Sequence, residues 1–500
     1  MSGRSLALVL ALLAPVAPVG ARAPLESGVA GLVVTSQSWD EFRPWAKKPP
    51  VTRRALAAVV EGPYLLVAAQ MVADATLIQL EKFGRPSAAS ARVVALDPEV
   101  DLALIGVDDP GFFDDLTPVR LAAATPTEGT LRTLRWKNQQ LESSASRIKR
   151  FEVQEAPSGS LRHVFLLVQT DVSGGGWSEP VFAEERLVGL TVSQTEQTAR
   201  VLPVEVIAAY LERVRAPGGY RGFPVLRLNW QVNEDPALTA FLGQTGRPSG
   251  VVVRQIPWGS SACGVIRPRD ILLSLDGKPI DASGYYLHPR LGQLEFTHIA
   301  FEHAVGDVVP LEVLRGGKVL ALTMQLREYP AAIDLIPDRR ADAAPPYLIA
   351  GGLVLRELDR DYLRFWGGDW FKKAPLDLVT RLSIEQSAQR PGRRRVVVLI
   401  SVLPAPYTVG YEDLEDLVVE QIDGRPIDGL AAAADALHRP TGEFHTIGLA
   451  PNPRLAEVVL DAATLESATA QVLEQYRIPA AMRLPAAAPP DPGPPCPDAY

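Results

Sequence analysis

The stretch Gln169-Thr-Asp-Val-Ser-Gly-Gly-Gly-Trp-Ser-Glu-Pro-Val-Phe182 places Ser173 and Ser178 on either side of three glycines. A glycine-rich turn can aim several backbone N–H groups at one point, and a serine on such a turn is an arrangement for acyl transfer through a stabilised oxyanion. A serine hydroxyl is a weak nucleophile by itself. It needs a neighbouring base, ordinarily an imidazole that a carboxylate orients. The chain has six histidines, and none precedes His163. His163 lies in an apolar run just before the turn, where an alternating strand position accounts for it without catalysis. The turn therefore has the form of a nucleophile site and lacks its base.

Composition narrows the other chemistries. A net charge of −8 over 500 residues gives no global attraction to phosphate backbones, so nucleic acid is not an expected partner. His163, His288, His298, His303, His438 and His445 lack the paired spacing of a zinc site, and no glycine-rich phosphate loop is present. Neither a metal nor a cofactor is expected. Two cysteines, Cys263 in an apolar segment and Cys496 in a proline-rich tail, cannot build a disulfide framework. They read as a small buried residue and a free tail thiol.

At the N-terminus, Arg4 precedes an apolar run from Leu6 to Val19, and small residues follow. This predicts a signal peptide over residues 1–23, cut after Ala21 or Ala23. The run is shorter than the ~20 residues a spanning helix needs. The mature chain is expected to be exported, periplasmic or secreted, with no stable membrane span.

The elements that must position the turn are short. Between about residues 28 and 215, apolar runs such as Val29-Ala-Gly-Leu-Val-Val-Thr35 and Arg162-His-Val-Phe-Leu-Leu-Val168 alternate with turn residues, which predicts a barrel or sandwich. Helical periodicity is confined chiefly to Val204–Arg213. Further on, Leu275-Asp-Gly-Lys-Pro-Ile-Asp281 recurs as Ile422-Asp-Gly-Arg-Pro-Ile-Asp428, and the upstream run Val251–Val253 recurs as Val396–Val398. A nearly constant spacing of strand to Asp-Gly turn predicts two copies of one module, each with a tight hairpin.

These modules resemble PDZ domains of the HtrA/Deg type. In the first, Ser249-Gly-Val-Val-Val-Arg-Gln-Ile-Pro-Trp-Gly-Ser-Ser-Ala262 and Ile266-Arg-Pro-Arg-Asp-Ile-Leu-Leu-Ser-Leu-Asp-Gly277 resemble the family's strand, its "P-x-S-P-A" turn and its "L-x-x-G-D-V-I" segment. In the second, Pro346-Tyr-Leu-Ile-Ala-Gly-Gly-Leu-Val-Leu355 and Tyr476-Arg-Ile-Pro-Ala-Ala-Met482 resemble the larger second PDZ domain of Deg proteases, plant ones included. The resemblance extends to the N-terminal region. Gly62-Pro-Tyr-Leu-Leu-Val-Ala-Ala-Gln-Met-Val72 is similar to "G-x-I-L-T-N-x-H-V-V" and puts Gln70 at the base position. Leu96-Asp-Pro-Glu-Val-Asp-Leu-Ala-Leu-Ile105 is similar to "D-P-x-x-D-L-A-L-L" and puts Asp101 at the aspartate position. Counting back from Pro180 puts Trp177 on the nucleophile, with Ser178 and Glu179 on two family glycines, and leaves Ser178 as the fallback nucleophile.

The resemblance implies a mainly β, multidomain chain: a trypsin-like double β-barrel over 28–215, PDZ domains over 216–328 and 329–485, and a disordered proline-rich tail over 486–500. It implies a pseudoprotease. Asp101 becomes a hydrogen-bonded relic, the Trp177 indole plugs the former pocket, and the Glu179 carboxylate opposes any oxyanion. The PDZ modules imply peptides or protein C-termini as partners, held by Val225, Leu226, Arg227 and Leu228 in the first and by Ala350, Gly351, Gly352 and Leu353 in the second. Arg227 would add a charged contact to a peptide carboxylate. Homo-oligomers, or hetero-oligomers with a Deg homologue, are also implied. The alternative function is an active serine endopeptidase of protein quality control, or a subunit completing an active homologue.

Overall fold

The computed structural model describes residues 25–83, 88–137, 140–157, 159, 161–328, 333–339, 343–385, 393–486 and 496. The expected signal peptide, and all of the proline-rich tail beyond residue 486 except Cys496, lie outside them.

Runs of Val, Leu and Ala that are too short for helices close on themselves as two barrels. The first contains β1 (Val29–Ser36), β2 (Val51–Val60), β3 (Tyr64–Val67), β4 (Ala75–Glu81), β5 (Ala88–Asp97) and β6 (Leu102–Val107), in the closed order β1-β2-β3-β6-β5-β4. A single turn of helix, α1 (Ala69–Val72), follows β3. The second contains β7 (Arg120–Leu121), β8 (Thr130–Lys137), β9 (Gln140–Glu155), β10 (Arg162–Thr170), β11 (Pro180–Ala183), β12 (Arg186–Thr195) and β13 (Thr198–Pro203), with β11 pairing both β8 and β12. Closure leaves few strand edges exposed. The barrels meet where Trp136 of β8 packs on Gly31 of β1, whose added Cβ would lie 2.4 Å from the indole. Helix α2 (Val204–Arg215) then buries Val206, Ile207, Tyr210 and Leu211 against this unit.

The first PDZ module holds β14 (Asn229–Gln231), α3 (Pro236–Phe241), β15 (Val251–Gln255), β16 (Ile271–Leu275), β17 (Lys278–Pro279), the hairpin β18 (Tyr285–His288) and β19 (Gly292–Glu295), α4 (His298–Phe301), β20 (Val308–Arg315) and β21 (Lys318–Gln325). The second holds β22 (Tyr347–Ala350), β23 (Leu353–Glu357), α5 (Arg360–Arg364), α6 (Trp370–Lys373), α7 (Leu376–Thr380), β24 (Val397–Val402), β25 (Leu417–Ile422), β26 (Arg425–Pro426), α8 (Leu430–His438), β27 (Phe444–Leu449), β28 (Glu457–Asp461), α9 (Leu465–Tyr476) and β29 (Met482–Arg483). The repeated Asp-Gly pairs are the turns of β16–β17 and β25–β26. Asp276 and Gly277 have φ of 52° and 68°, and Asp423 and Gly424 have φ of 49° and 71°. Two successive left-handed residues match the twist of a two-residue hairpin. The chain is mostly β, with a trypsin-like double barrel ahead of its PDZ modules. Among the described residues, no helix is long and apolar enough to cross a membrane.

Aromatic and charged contacts tie the modules together. His163 of β10 is buried and stacks on Phe301 of α4 at 5.2 Å. Phe301 in turn stacks on Phe223 at 4.3 Å, at the entrance to the first PDZ module. On the other side, the β1–β2 connection inserts Phe42 and Trp45 against Tyr362 and Tyr347 of the second module. It also offers Glu41 to the fully buried Arg356, whose guanidinium reaches Glu41 at 2.9 Å and Asp359 at 2.6 Å. A buried guanidinium is tolerated only when its charge and donors are met in this way.

One expectation is corrected. Cys263 and Cys496 are not a buried thiol and a free tail thiol; they form a disulfide across 233 residues, with Cα atoms 5.2 Å apart. The Cys496 side chain is buried beside Pro257, a placement that the composition of the tail did not signal. Iodoacetamide should label neither cysteine in the native chain and both after reduction. Labelling without reductant would contradict the pairing.

Burial also sets a pH dependence. Desolvation depresses His163 to about 3 and His298 to about 4, below the ordinary value of 6.5. The unfolded chain takes up these protons as the pH falls below 6.5, and the folded chain does not. Their neutral burial is therefore harmless above pH 6.5 and costs about 2 kcal/mol per histidine at pH 5. Denaturant unfolding at pH 7.5 and pH 5 should show that His163→Phe removes about half of this two-histidine loss; an unchanged loss would contradict it.

Candidate functional site

The base position is held by an amide. Gln70, in α1, donates from its side-chain nitrogen to Asp101 Oδ2 at 2.8 Å and to the Val192 carbonyl at 2.6 Å, while its backbone N–H donates to Asp101 Oδ1 at 2.9 Å. Both carboxylate oxygens of buried Asp101 thus orient Gln70, much as they would an imidazole. The amide has no useful basicity and can accept no proton from a nucleophile.

The nucleophile loop is shaped by Glu179. The β11–β12 ladder extends past Pro180, with Ser178 N donating to the Thr191 carbonyl and Thr191 N to the Glu179 carbonyl, both at 2.9 Å. This register turns the Glu179 side chain back under its own loop. There Oε2 accepts from Gly176 N at 2.9 Å, from Trp177 N at 3.0 Å and from the Thr191 hydroxyl. Gly175 N donates to Gln194 Oε1 at 3.0 Å. In trypsin-like chemistry the oxyanion is held by the N–H of the nucleophile position and of the residue two before it. Here those donors, on Trp177 and Gly175, are already taken by acceptors from within the chain. Gly176 (φ 99°) admits no side chain, since its Cβ would lie 2.6 Å from the Gln194 backbone nitrogen.

Ser178 is fully buried, sits in the left-handed region at φ 70°, and accepts a hydrogen bond from Ala68 N at 2.9 Å. It ties the second barrel to the first and is closed to a substrate. Trp177 does not plug a pocket, contrary to expectation. It is 41% exposed, and the Arg53 guanidinium lies 5.2 Å from its ring centroid. With Glu179 filling the loop from below, the indole is left on the surface. The role of Glu179 as an internal acceptor was not read from the sequence, although a carboxylate three residues after a run of three glycines was the available signal.

In the first PDZ module, the loop before β14 borders a groove of about 570 Å³ lined by Phe223, Val225, Leu226, Trp230, Pro257 and Phe301. Val225 N reaches the Arg327 carbonyl at 3.5 Å, and among the described residues the N–H groups of Leu226 and Leu228 find no acceptor. Ser260 and Ser261 brace the loop by donating to the carbonyls of Arg227 and Val225. Arg227 departs from expectation: its guanidinium is paired with buried Asp334 at 2.9 Å, so its charge is already met. In the second module, Ala350, Gly351, Gly352 and Leu353 are buried rather than open. They form the β22–β23 turn, in which Gly351 N donates to Thr469 of α9 and a Cβ on Gly351 would lie 2.4 Å from Tyr407.

Two closed barrels, a triad-like constellation and PDZ modules define a serine protease homologue of the trypsin fold. A PDZ domain family model matches residues 336–483. Protease Do-like 4, mitochondrial, of Arabidopsis thaliana is 24% identical over 447 residues, covering 88% of this chain and 82% of its own. Protease Do-like 2, chloroplastic, of the same plant is 23% identical over 461 residues, covering 91% and 74%. Among solved structures, the HtrA-type protease AlgW with decapeptide aligns at a TM-score of 0.45 and 17% identity, covering 61% of this chain and 97% of its own. The serine endoprotease from Yersinia pestis aligns at 0.41 and 16%, covering 62% and 99%. Over 88% of its length the chain is thus similar to HtrA/Deg-type serine proteases, and its residues 336–483 match a PDZ domain.

Glu179→Ala should leave two loop N–H groups without their acceptor, at about 1–3 kcal/mol each. We expect a lower melting temperature and faster nicking of residues 173–177 by an added protease. A variant as stable and as resistant as the parent would show that Glu179 does not hold the loop.

Proposed function

We propose that this chain is a non-catalytic HtrA/Deg-type pseudoprotease that serves as a peptide- or protein-binding scaffold in the cell envelope. The observation that carries this reading is the Glu179 carboxylate on the N–H groups of Gly176 and Trp177. A developing oxyanion would have to displace a buried anion, and no base would have generated it. An active endopeptidase has less support, because Gln70 is neutral and Ser178 is sealed.

Binding is assigned to the first PDZ module. Its groove offers Phe223, Leu226, Trp230 and Phe301 among charged side chains, and the N–H groups of Leu226 and Leu228 suit a terminal carboxylate captured in backbone donors. With Arg227 committed to Asp334, affinity rests on those donors and on burial of an apolar terminal side chain. The envelope assignment is supported by the N-terminal apolar run and by a disulfide, which persists in oxidising compartments.

The mature chain should bind peptides with an apolar C-terminal residue in roughly the micromolar range or looser. Amidating the terminus should remove most of that binding, and Leu226→Pro, which deletes one donor, should weaken it. Calorimetric titration of free and amidated forms of one peptide library decides this. Equal binding of both forms would overturn the carboxylate site.

A further inference from the structure

The helical insertion of the second PDZ module carries an apolar face that is largely exposed, with Phe42 packed against Phe365 at 4.6 Å. Phe365 is 50% exposed, Phe371 51%, and Leu376 78%. They lie within twelve residues spanning the end of α5, all of α6 and the start of α7. Side chains this apolar are usually exposed singly, and three of them within so short a segment point to a surface with a partner.

Lysines surround the same face. Lys372 lies 5.3 Å from the Phe371 ring centroid, and Lys48, from the β1–β2 connection, lies 5.9 Å from that of Phe365. Lys373 is exposed next to Lys372 in sequence, and Lys47, next to Lys48, is exposed with its ammonium group 5.2 Å from the Trp39 ring centroid. Of the acids close to these residues in sequence, Asp40, Glu41, Asp361 and Asp377 are ion-paired with arginines. The cluster is a local inversion of a chain whose net charge is −8.

This chemistry discriminates between occupants. The cores of protein interfaces are depleted in lysine, because an ammonium group is costly to desolvate. A bilayer surface suits aromatic and aliphatic tips that enter the headgroup region while lysine stems snorkel to anionic phosphates. We propose that Phe365, Phe371, Leu376 and the lysines around them form a docking surface for an anionic lipid bilayer. The chain would rest on the membrane by this face without crossing it, whether or not the first PDZ module holds a peptide.

Vesicle co-sedimentation of the full mature chain tests the proposal. Vesicles of phosphatidylcholine with about a third phosphatidylglycerol should retain the protein, and pure phosphatidylcholine should retain several-fold less. High salt should release most of it. The double variant Phe371→Ser/Leu376→Ser should bind about tenfold more weakly, and Lys372→Glu/Lys373→Glu should lose its preference for anionic vesicles. Because the wild-type comparison of compositions needs no variant, a folding defect cannot mask the answer. Failure to bind, or equal binding to both vesicles, would overturn the proposal. So would vesicle-independent self-association that the Phe371/Leu376 variant abolishes, since the face would then join copies of the chain.

Discussion

Buried backbone N–H groups must find acceptors, and in the loop from Gly174 to Pro180 this requirement is met by the Glu179 carboxylate. Much else follows from that interaction. The register that turns Glu179 inward also buries Ser178 against Ala68, so the loop becomes a clamp between the barrels and no longer a presentation device. The indole of Trp177 is displaced to the surface. Opposite the loop, Asp101 keeps the orienting geometry of a triad around an amide that cannot take a proton. At each of these positions the group present meets its hydrogen-bonding demands from within the chain.

Whatever its chemistry, the barrel positions the other modules. The stack of His163, Phe301 and Phe223 runs from a barrel strand to the loop of the first PDZ groove, so the shape of that loop depends on the barrel behind it. Arg227 and Asp334 fasten the loop to the segment leading into the second module, and Glu41 and Arg356 fasten that module to the β1–β2 connection. The Cys263–Cys496 disulfide brings the C-terminal tail to the turn that braces the loop. The groove is thus held from several sides, and little ordering should remain to oppose binding.

Much of this was legible in the sequence. Asp-Gly pairs after apolar strands located both PDZ hairpins, because only a left-handed two-residue turn fits that pattern. The absence of histidine before residue 163 removed the base, and the spacing from Pro180 located Trp177. What was missed depends on contacts between distant residues. The acceptor role of Glu179 requires the register with Thr191, and the commitment of Arg227 requires Asp334, more than one hundred residues away. The glycines of Ala350–Leu353 read as a peptide-holding loop, but tight packing and an open groove use the same residue; packing of Tyr407 and α9 decides between them. A proline-rich tail likewise gives no sign that its cysteine is buried.

The account rests on the claim that the barrel does not cleave peptide bonds. It is tested most directly by incubating the purified chain, at concentrations comparable to substrate, with a complex library of unfolded peptides, and by reading new termini by mass spectrometry from mildly acidic to mildly alkaline pH. The account predicts no termini beyond those from a Gln70→Ala/Trp177→Ala variant prepared in the same way. A reproducible set of cleavages made by the parent and lost in that variant would contradict it.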